Sequence, residues 1–397
     1  MPRRKTLILV FVFALFGFLL ACGTVTTNKD TTGDGLQTTT KKGKKTTTEA
    51  PIVGTEGLYY LLNDDGQTYG VSNYIGTAAE VVVPPVYNGK PVTSIKTSGF
   101  YNRDYITSVS LPNSLLELEH SAFDSCDSLT SITIPASVTK IAGTSLSSIP
   151  NITFAPGSPF TISDDIIYGY DGTVFVGYVS GASVPETVSI SDGVKTIADY
   201  AFYYMENIKS VILPQTVNVI GKAAFYECAY MTSITMPDSM TSIGEVAFSF
   251  CKKLTSIVIP SGITTIEPST FSACWKLASV TFPEGLTHIG SSAFANSKIT
   301  ELVLPDSLLE IGESAFFWTS LTSVTLGSGL VSIGTKAFNY CNDLNSIVIP
   351  LSVTEIGSKA FSNTRLQVYA RAASKPAGWA DDWYPADGKE VVWGYSD

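Results

Sequence analysis

The sequence predicts a repeat solenoid, built mostly of parallel β-structure with short turns or helical turns. With one interruption, a phenylalanine returns every 22 or 23 residues. Within each repeat, apolar and polar residues alternate for a few positions, which is the period of a β-strand. A unit of this length cannot bury a core alone, so the repeats must stack and share one core. These rung phenylalanines are Phe100, Phe123, Phe202, Phe225, Phe248, Phe271, Phe294, Phe316, Phe338 and Phe361.

One repeat shows how each coil is expected to fold. Ile257 should point into the coil while its neighbours Ser256 and Val258 point outward, because successive side chains of a strand alternate. Pro260 cannot donate a hydrogen bond to a neighbouring strand and therefore ends this one. A Ser-Gly turn follows, and apolar residues then return as far as Ile266. Each coil is thus predicted to contain one strand, two corners and a short turn.

The repeat resembles that of the BspA-like, or Treponema-type, leucine-rich repeat family, whose unit reads L-T-S-I-x-I-P-x-S-V-T-x-I-G-x-x-A-F-x-x-C. Three segments match it closely, namely Leu129 to Pro135, Leu254 to Pro260 and Leu344 to Pro350. The resemblance covers about residues 93 to 368. It implies a leucine-rich-repeat-like fold and a surface protein that adheres to host matrix proteins or to other microbial cells.

The solenoid is expected to have β-hairpin caps and one β-hairpin insertion. Two extended runs flank the turn Asn63 to Gly66, which predicts a hairpin as the first cap. At the other end, Trp379, Trp383 and Trp393 should plug the last coil rather than bind sugar. The predicted segments are an N-terminal β cap (51–92), the first repeats (93–158), the insertion (159–186), the main repeat array (187–368) and a C-terminal cap (369–397).

The insertion interrupts the repeats between a degenerate rung at Leu146 and Phe202. Alternating runs lie on either side of Asp171-Gly172, which favours a β-hairpin. We expect this hairpin to project from one edge of the solenoid and to serve as a structural spacer. Because loops and insertions often carry function, a functional role stays open.

The first 50 residues are predicted to direct export and anchoring. Residues 1–21 read as a signal peptide, in which three basic residues precede an apolar run, Leu7 to Leu20, that is too short to span a membrane. The sequence Leu-Leu-Ala-Cys ending at Cys22 resembles a bacterial lipobox, which implies cleavage after Ala21 and lipidation of the Cys22 thiol. Residues 22–50 then form a Thr- and Lys-rich linker that is expected to be disordered.

The charge of the remaining chain argues against some partners. Of the 25 basic and 35 acidic residues, eight basic and three acidic residues precede position 51. Residues 51–397 therefore carry 17 basic against 32 acidic side chains, about fifteen net negative charges. Nucleic acids and polyanionic glycans are disfavoured because they bind to positive surfaces. A protein ligand is the predicted partner, a neutral glycan stays open, and membrane contact is expected through the lipid anchor only.

Three further ladders follow the repeats, one of cysteines, one of serines and one of β-branched residues. Five cysteines each lie three residues after a rung phenylalanine, so we expect them to be buried and reduced rather than bridged. Serines and β-branched residues should face outward on the sheet, where they either give a flat, soluble surface or form a docking face. The cysteines are Cys126, Cys228, Cys251, Cys274 and Cys341. The outward ladders include Ser210, Ser233, Ser256, Ser279, Ile212, Thr235, Val258, Thr281 and Val303.

An aromatic stripe just after the rung phenylalanines supplies the candidate partner-binding residues. Aromatic side chains are favoured at binding surfaces, although the same rings would also suit covering the edge of the coils. The stripe begins with Tyr101, near which binding is not expected. The candidates are Tyr203, Tyr204, Tyr226, Tyr230, Phe250, Trp275, Phe317, Trp318 and Tyr340.

No catalytic or metal-binding pattern stands out in the sequence. The two histidines, His120 and His288, lie at unrelated positions of different repeats, and the turn Asn63 to Gly66 lacks the further acidic positions of a calcium loop. We therefore predict a non-enzymatic, lipid-anchored surface protein of the bacterial envelope without a cofactor. The alternatives are a glycan-binding or accessory module of a cell-surface polymer-processing system, and a structural spacer in the envelope.

Overall fold

Each repeat forms one coil with two short strands and a run of turns. A computed structural model describes residues 53–362, 364, 366–385 and 388–396. The predicted signal peptide, Cys22 and the linker lie outside these ranges. Within them the chain forms strands and turns, and no helical segment has the length and apolarity needed to cross a membrane. The predicted leucine-rich-repeat-like solenoid is confirmed.

The described residues contain 32 strands. The N-terminal strands are β1 (Leu58–Leu62), β2 (Tyr69–Tyr74), β3 (Glu80–Val82), β4 (Val86–Tyr87) and β5 (Lys90–Ile95). The first coils contain β6 (Ser108–Ser110), β7 (Glu117–Leu118), β8 (Ser131–Ile134), β9 (Lys140–Ile141) and β10 (Asn151–Phe154). The interruption contains β11 (Phe160–Ser163), β12 (Ile166–Gly169) and β13 (Val174–Tyr178).

The main array and its end contain the remaining strands. The array contains β14 (Thr187–Ser189), β15 (Thr196–Ile197), β16 (Ser210–Ile212), β17 (Val219–Ile220), β18 (Ser233–Thr235), β19 (Ser242–Ile243), β20 (Ser256–Val258), β21 (Thr265–Ile266), β22 (Ser279–Thr281), β23 (His288–Ile289), β24 (Glu301–Val303), β25 (Glu310–Ile311), β26 (Ser323–Thr325), β27 (Ser332–Ile333), β28 (Ser346–Ile349) and β29 (Glu355–Ile356). The end contains β30 (Gln367–Ala370), β31 (Gly378–Trp379) and β32 (Val392–Trp393).

Most equivalent strands of neighbouring coils pair in parallel and in register, and the pairing is interrupted at a few coils, such as between β18 and β20. Along the first strand of each coil, β16 pairs with β18 so that Val211 lies opposite Ile234. Along the second strand, β17 pairs with β19 so that Ile220 lies opposite Ile243. These residues are buried. Register therefore carries each inward position of one repeat onto the same position of the next and produces a core that is continuous along each array.

The third side of each coil is a run of β-turns that carries the rung phenylalanine. In the coil of Phe248, the N–H groups of Val246, Phe248 and Phe250 donate to carbonyl oxygens of the next coil at 2.8 to 3.1 Å. Val246 and Phe250 have φ angles of 51° and 60°, in the left-handed region. That conformation costs roughly 1–2 kcal/mol for residues other than glycine. The hydrogen bonds between coils offset this cost, and the same two positions are left-handed in the coils of Phe225 and Phe271.

The rung phenylalanines stack face to face through the middle of the main array. From Phe202 to Phe361, successive ring centroids are 4.9 to 5.6 Å apart and the interplanar angles are 2° to 11°. All of these rings are fully buried. The stack is thus the central column of the core.

The interruption continues this column instead of leaving it. β11, β12 and β13 form an antiparallel sheet, and β13 pairs in parallel with β15 of the next coil. Phe175 of β13 is fully buried and stacks on Phe202 at 4.8 Å, while the adjacent Val176 belongs to the core of the first coils. The prediction that this segment projects from an edge is wrong, because its strands bury apolar residues against both arrays.

The five repeat cysteines are buried and unbridged, as predicted. The thiols of Cys228, Cys251 and Cys274 each donate to the carbonyl oxygen of the rung phenylalanine one coil earlier, at 3.1 to 3.2 Å. Burial raises the pKa of the Cys126 thiol to about 11 and that of Cys274 to about 12. The thiols therefore pack as small, neutral side chains.

Aromatic residues close the end of the main array. Trp383 packs edge-on against Phe361, with 5.9 Å between ring centroids, and Trp379 packs edge-on against Trp383 at 4.8 Å. Trp379 and Trp383 are buried, and the Trp379 indole donates to the Val353 carbonyl oxygen at 3.2 Å. The prediction that these tryptophans plug the last coil is confirmed for these two residues. Trp393 is half-buried beside Trp379.

We predict that Phe248→Ala lowers the free energy of unfolding by about 3–5 kcal/mol, because it removes a fully buried ring from the stack. Phe250→Ala is the matched control, since it removes the same ring from a half-exposed position two residues away. Denaturant unfolding followed by circular dichroism measures both. Equal losses for the two variants would contradict the central role of the stack.

We also predict that the five repeat thiols resist labelling by a maleimide in the folded protein and all react after unfolding. Because the pKa of the Cys274 thiol is raised from 9.0 to about 12, this thiol affects stability only at alkaline pH. Stability is unaffected by it below about pH 9 and falls as the pH rises toward 12. Rapid labelling of all five thiols at neutral pH in the native state would overturn their placement in the core.

Candidate functional site

Four candidate residues form one half-buried aromatic cluster at the surface, the aromatic ladder, defined as Tyr203, Tyr204, Tyr226 and Phe250. The Tyr203 and Tyr226 rings stack at 5.0 Å, and the Tyr226 and Phe250 rings lie 5.5 Å apart. Tyr204 packs on Tyr203 and is 52% exposed. The ladder runs over three neighbouring coils because these residues lie one or two positions after their rung phenylalanines.

Backbone geometry fixes the direction of these rings. Tyr204 and Phe250 occupy the left-handed position two residues after a rung phenylalanine, with φ angles of 60° each. Their N–H groups bond to the next coil at 2.9 and 2.8 Å, so the main chain beneath the rings is held in place. Each ring is therefore presented by a rigid turn rather than by a mobile loop.

The structure places two further residues, His120 and Tyr200, beside the ladder, and sequence reasoning missed them. His120 stacks on Tyr200 at 4.0 Å and meets Tyr203 edge-on at 4.6 Å. The His120 Nδ1 atom lies 2.6 Å from the Thr144 hydroxyl, and burial lowers the pKa of the imidazole. Tyr200 lies two residues before its rung phenylalanine, so its place in the repeat can be read from the sequence. The contact with His120 crosses the interruption and has no signal in the repeat pattern.

Burial raises the pKa values of the ladder tyrosines further above neutral pH. It raises the pKa of Tyr203 to about 12, and it raises the pKa of Tyr226 as well. The pKa of Tyr204 is raised by burial and by the nearby Glu227 carboxylate. The tyrosine hydroxyl groups therefore remain neutral hydrogen-bond donors and acceptors.

Three other candidates line a groove on the next coils. Trp275, Trp318 and Tyr340 are 53%, 63% and 43% exposed. The groove has a volume of about 480 Å³ and is open to solvent. This tryptophan groove is lined by Trp275, Asn296, Ser297, Lys298, Trp318, Thr319, Ser320, Tyr340, Asn342 and Asp343.

A lysine lies between the ladder and the groove. The Lys252 ammonium is 5.9 Å from the Phe250 ring centroid and 5.6 Å from that of Trp275. It also forms a 2.7 Å ion pair with the Glu227 carboxylate, which holds it in place. The aromatic stripe is thus two clusters joined by a cation.

The remaining candidates lie at the margins of these clusters. Phe317 is half-buried and packs edge-on against Tyr340, with 5.5 Å between ring centroids. Tyr230 is 54% exposed and makes no ring contact with the other candidates in the described part of the chain. Cys22, the predicted lipidation site, lies outside the described residues.

The strand face is the second surface considered from the sequence. The predicted outward ladders are confirmed, since Ile212, Val258 and Val303 are 55%, 65% and 72% exposed. They alternate with the exposed Thr235 and Thr281 along the coils. The two interpretations of this face, a soluble sheet and a docking surface, both remain.

The described residues hold no group of three or more His, Cys, Asp or Glu side chains placed to bind a metal ion. The Asp65 carboxylate, considered above for calcium, accepts hydrogen bonds from the Gln67 and Thr68 N–H groups and from the Thr68 hydroxyl. The Thr68 and Gln67 hydrogen bonds lower the pKa of this carboxyl. It therefore orders the turn between β1 and β2.

Comparison with solved structures finds several bacterial repeat proteins at low sequence identity. A leucine-rich repeat protein from Bacteroides ovatus is 20% identical, with 85% of this chain and 98% of that chain covered and a TM-score of 0.46. A leucine-rich cell surface protein from Faecalibacterium prausnitzii is 23% identical, with 88% and 96% covered and a TM-score of 0.38. The pneumococcal vaccine antigen PcpA is 16% identical, with 80% and 68% covered and a TM-score of 0.40.

No curated protein matches the chain. The family model for the BspA-type leucine-rich repeat region does match it, in six copies over residues 86–169, 183–300 and 266–372. These ranges include the coils that carry the rung phenylalanines, the ladder and the groove. The chain belongs to the BspA-type leucine-rich repeat family.

Proposed function

We propose that this protein is a non-enzymatic, lipid-anchored surface protein that binds a protein partner through the turn side of its solenoid. The aromatic ladder is the observation that supports this proposal most directly. Its rings, of which Tyr204 is exposed and Tyr203, Tyr226 and Phe250 are half-buried, form one contiguous aromatic surface across three coils. Aromatic side chains supply large contact area, and they are enriched among the residues that dominate protein interfaces.

The rigidity of the ladder favours binding further. Association costs free energy when mobile side chains must be ordered at an interface. The stacking of Tyr203 on Tyr226 and the turn hydrogen bonds under Tyr204 order these rings before a partner arrives. The contact is expected to spread over several coils, because each ring gives only a shallow surface.

Charge suggests the character of the partner. Residues 51–397 carry about fifteen net negative charges. Such a field speeds association with a basic protein surface and opposes an acidic one. We therefore propose a basic protein, in the extracellular matrix of a host or on another cell, as the partner class.

The sequence at the N-terminus supports export to the bacterial envelope and anchoring through lipid on Cys22. A second acyl chain is needed for stable attachment, because a single chain binds membranes only marginally.

We predict that Cys22→Ser releases the protein from the membrane fraction or stalls its processing, because the thiol is the proposed site of lipid attachment. Mass spectrometry of the mature wild-type protein should find an acylated N-terminal Cys22. An unmodified N-terminus anywhere beyond Cys22 would refute the anchor.

We predict that Tyr204→Ala and Tyr226→Ala each weaken binding to an identified protein partner by about 1 kcal/mol or more. Surface plasmon resonance against immobilised matrix proteins and whole-cell binding would provide the partner and the affinities. Tyr101→Ala is the matched control, because Tyr101 is 48% exposed on a distant coil.

Thermal unfolding of the same variants separates binding from packing. The proposed interface requires unchanged melting temperatures alongside the loss of affinity. If affinity is intact while the melting temperature falls, the ladder covers the edge of the coils and does not bind.

A further inference from the structure

The tryptophan groove lies where two consecutive repeats are one residue short. In the coil of Phe271 the next buried leucine or isoleucine, Leu277, follows six positions later. In the coil of Phe294 the equivalent residue, Ile299, follows after five. The coil of Phe316 has the same shortened spacing. In the coils of Phe294 and Phe316, the missing residue lies in the loop between the run of turns and the first strand.

The shortened loops lie side by side between two loops of full length. Lys298 and Ser320, which lie in the shortened loops, are linked by a 3.3 Å hydrogen bond from the lysine ammonium. Trp275 stands in the full-length loop on one side, and Asn342 and Asp343 stand in the full-length loop on the other. Deletion of one residue from each of two neighbouring loops therefore creates the depression, while β24 and β26, the strands that follow the two shortened loops, remain paired with each other.

The floor of the groove departs from the repeat in a second way. The position three residues after the rung phenylalanine is cysteine in the two preceding coils, where the thiol donates to a carbonyl oxygen. In the groove it is Ser297, which is 3% exposed and whose hydroxyl has no hydrogen-bond partner among the described residues. A buried hydroxyl without a partner destabilises the folded state, so a ligand that bonded to it would relieve a cost.

The lining combines flat apolar surfaces with neutral polar groups. Trp275 and Trp318 each expose more than half of their surface, and Tyr340 lies 6.4 Å from Trp318. The turn holds Trp318 in place, because its N–H donates to the Asn339 carbonyl oxygen at 2.9 Å. Polar atoms come from the Asn296 and Asn342 amides and the Ser320 hydroxyl. The formal charges of Lys298 and Asp343, which also line the groove, cancel each other.

This chemistry fits a neutral sugar better than a charged ligand or an apolar side chain. A pyranose ring has an apolar face that stacks on an aromatic ring, and its edge carries hydroxyl groups that bond to amides and carboxylates. Trp275 and Trp318 lie two coils apart, so the paths of their strands are separated by roughly 10 Å at normal strand spacing. That span suits a disaccharide or a longer chain, and the volume lies within the usual range for ligand sites.

We propose that the tryptophan groove binds a neutral oligosaccharide, with Trp275 and Trp318 stacking on sugar rings and with Asn296, Asn342 and Asp343 bonding hydroxyl groups. This site is separate from the aromatic ladder, and it does not depend on the ladder binding a protein. The protein would then recognise two kinds of surface molecule through neighbouring coils.

The test uses the full chain, purified in detergent, on an array of neutral gluco-, xylo-, manno- and galacto-oligosaccharides. Hits are titrated by tryptophan fluorescence. Trp318→Ala should weaken binding about tenfold or more, because it removes one stacking surface. A filled-groove variant, with one alanine inserted after Lys298 and one after Ser320, restores the longer loops. It should also lose binding while it keeps all three aromatic side chains.

Controls make the result specific to the groove. Tyr101→Ala and Tyr226→Ala should bind the sugar like the wild type, and all variants should retain the wild-type circular dichroism and melting temperature. The proposal is overturned if no neutral oligosaccharide binds, or if the filled-groove variant binds as well as the wild type. It is also overturned if Trp318→Ala affects only binding of a protein partner, which would make the groove part of the protein interface.

Discussion

The register between neighbouring coils is the constraint on which the rest of this structure depends. Where neighbouring strands pair in parallel, each residue lies beside its equivalent in the next repeat, at a spacing of about 4.8 Å. A side chain that packs well at one interior position therefore recurs at that position in neighbouring repeats, and the equivalent side chains form a column through the core. The rings of Phe225, Phe248 and Phe271 form one such column because their centroids can approach to 5.1 and 5.3 Å in parallel planes. The thiols form another, since a small side chain leaves room for its equivalents above and below.

The same constraint explains why much of the fold follows from the sequence. Once the repeats stack in register, a local pattern becomes a tertiary one. The alternation around Ile257 is enough to place Ser256 and Val258 on the outer face. The shared position of Cys228, Cys251 and Cys274 is enough to place all three inside. Trp379 and Trp383 follow the last repeat, where an exposed column end needs covering.

Features that break the repeat cannot be predicted from the repeat pattern. The strands around Phe175 are visible in the sequence, but their pairing partners are not, so their position inside the core was missed. The His120–Tyr200 contact depends on that same path. The left-handed conformation of Val246 also has no signal, because a β-branched residue disfavours it and the bonds between coils impose it. At the candidate site, composition identified the aromatic residues but not their division into a ladder and a groove.

The stacking of the coils does not constrain the length of the loop between the turns and the first strand of a coil. The strands and turns of each coil are fixed by their neighbours, yet the loop ahead of Ile299 lost a residue without disturbing the buried column at Phe294. The shape of the surface can therefore change without a change in the core, through insertion or deletion of a single residue in a loop. A chain of this kind is able to acquire, erase or relocate a concavity along its length during evolution. Deletion of one loop residue from neighbouring coils could likewise be used to engineer a shallow binding site at a chosen place in the solenoid.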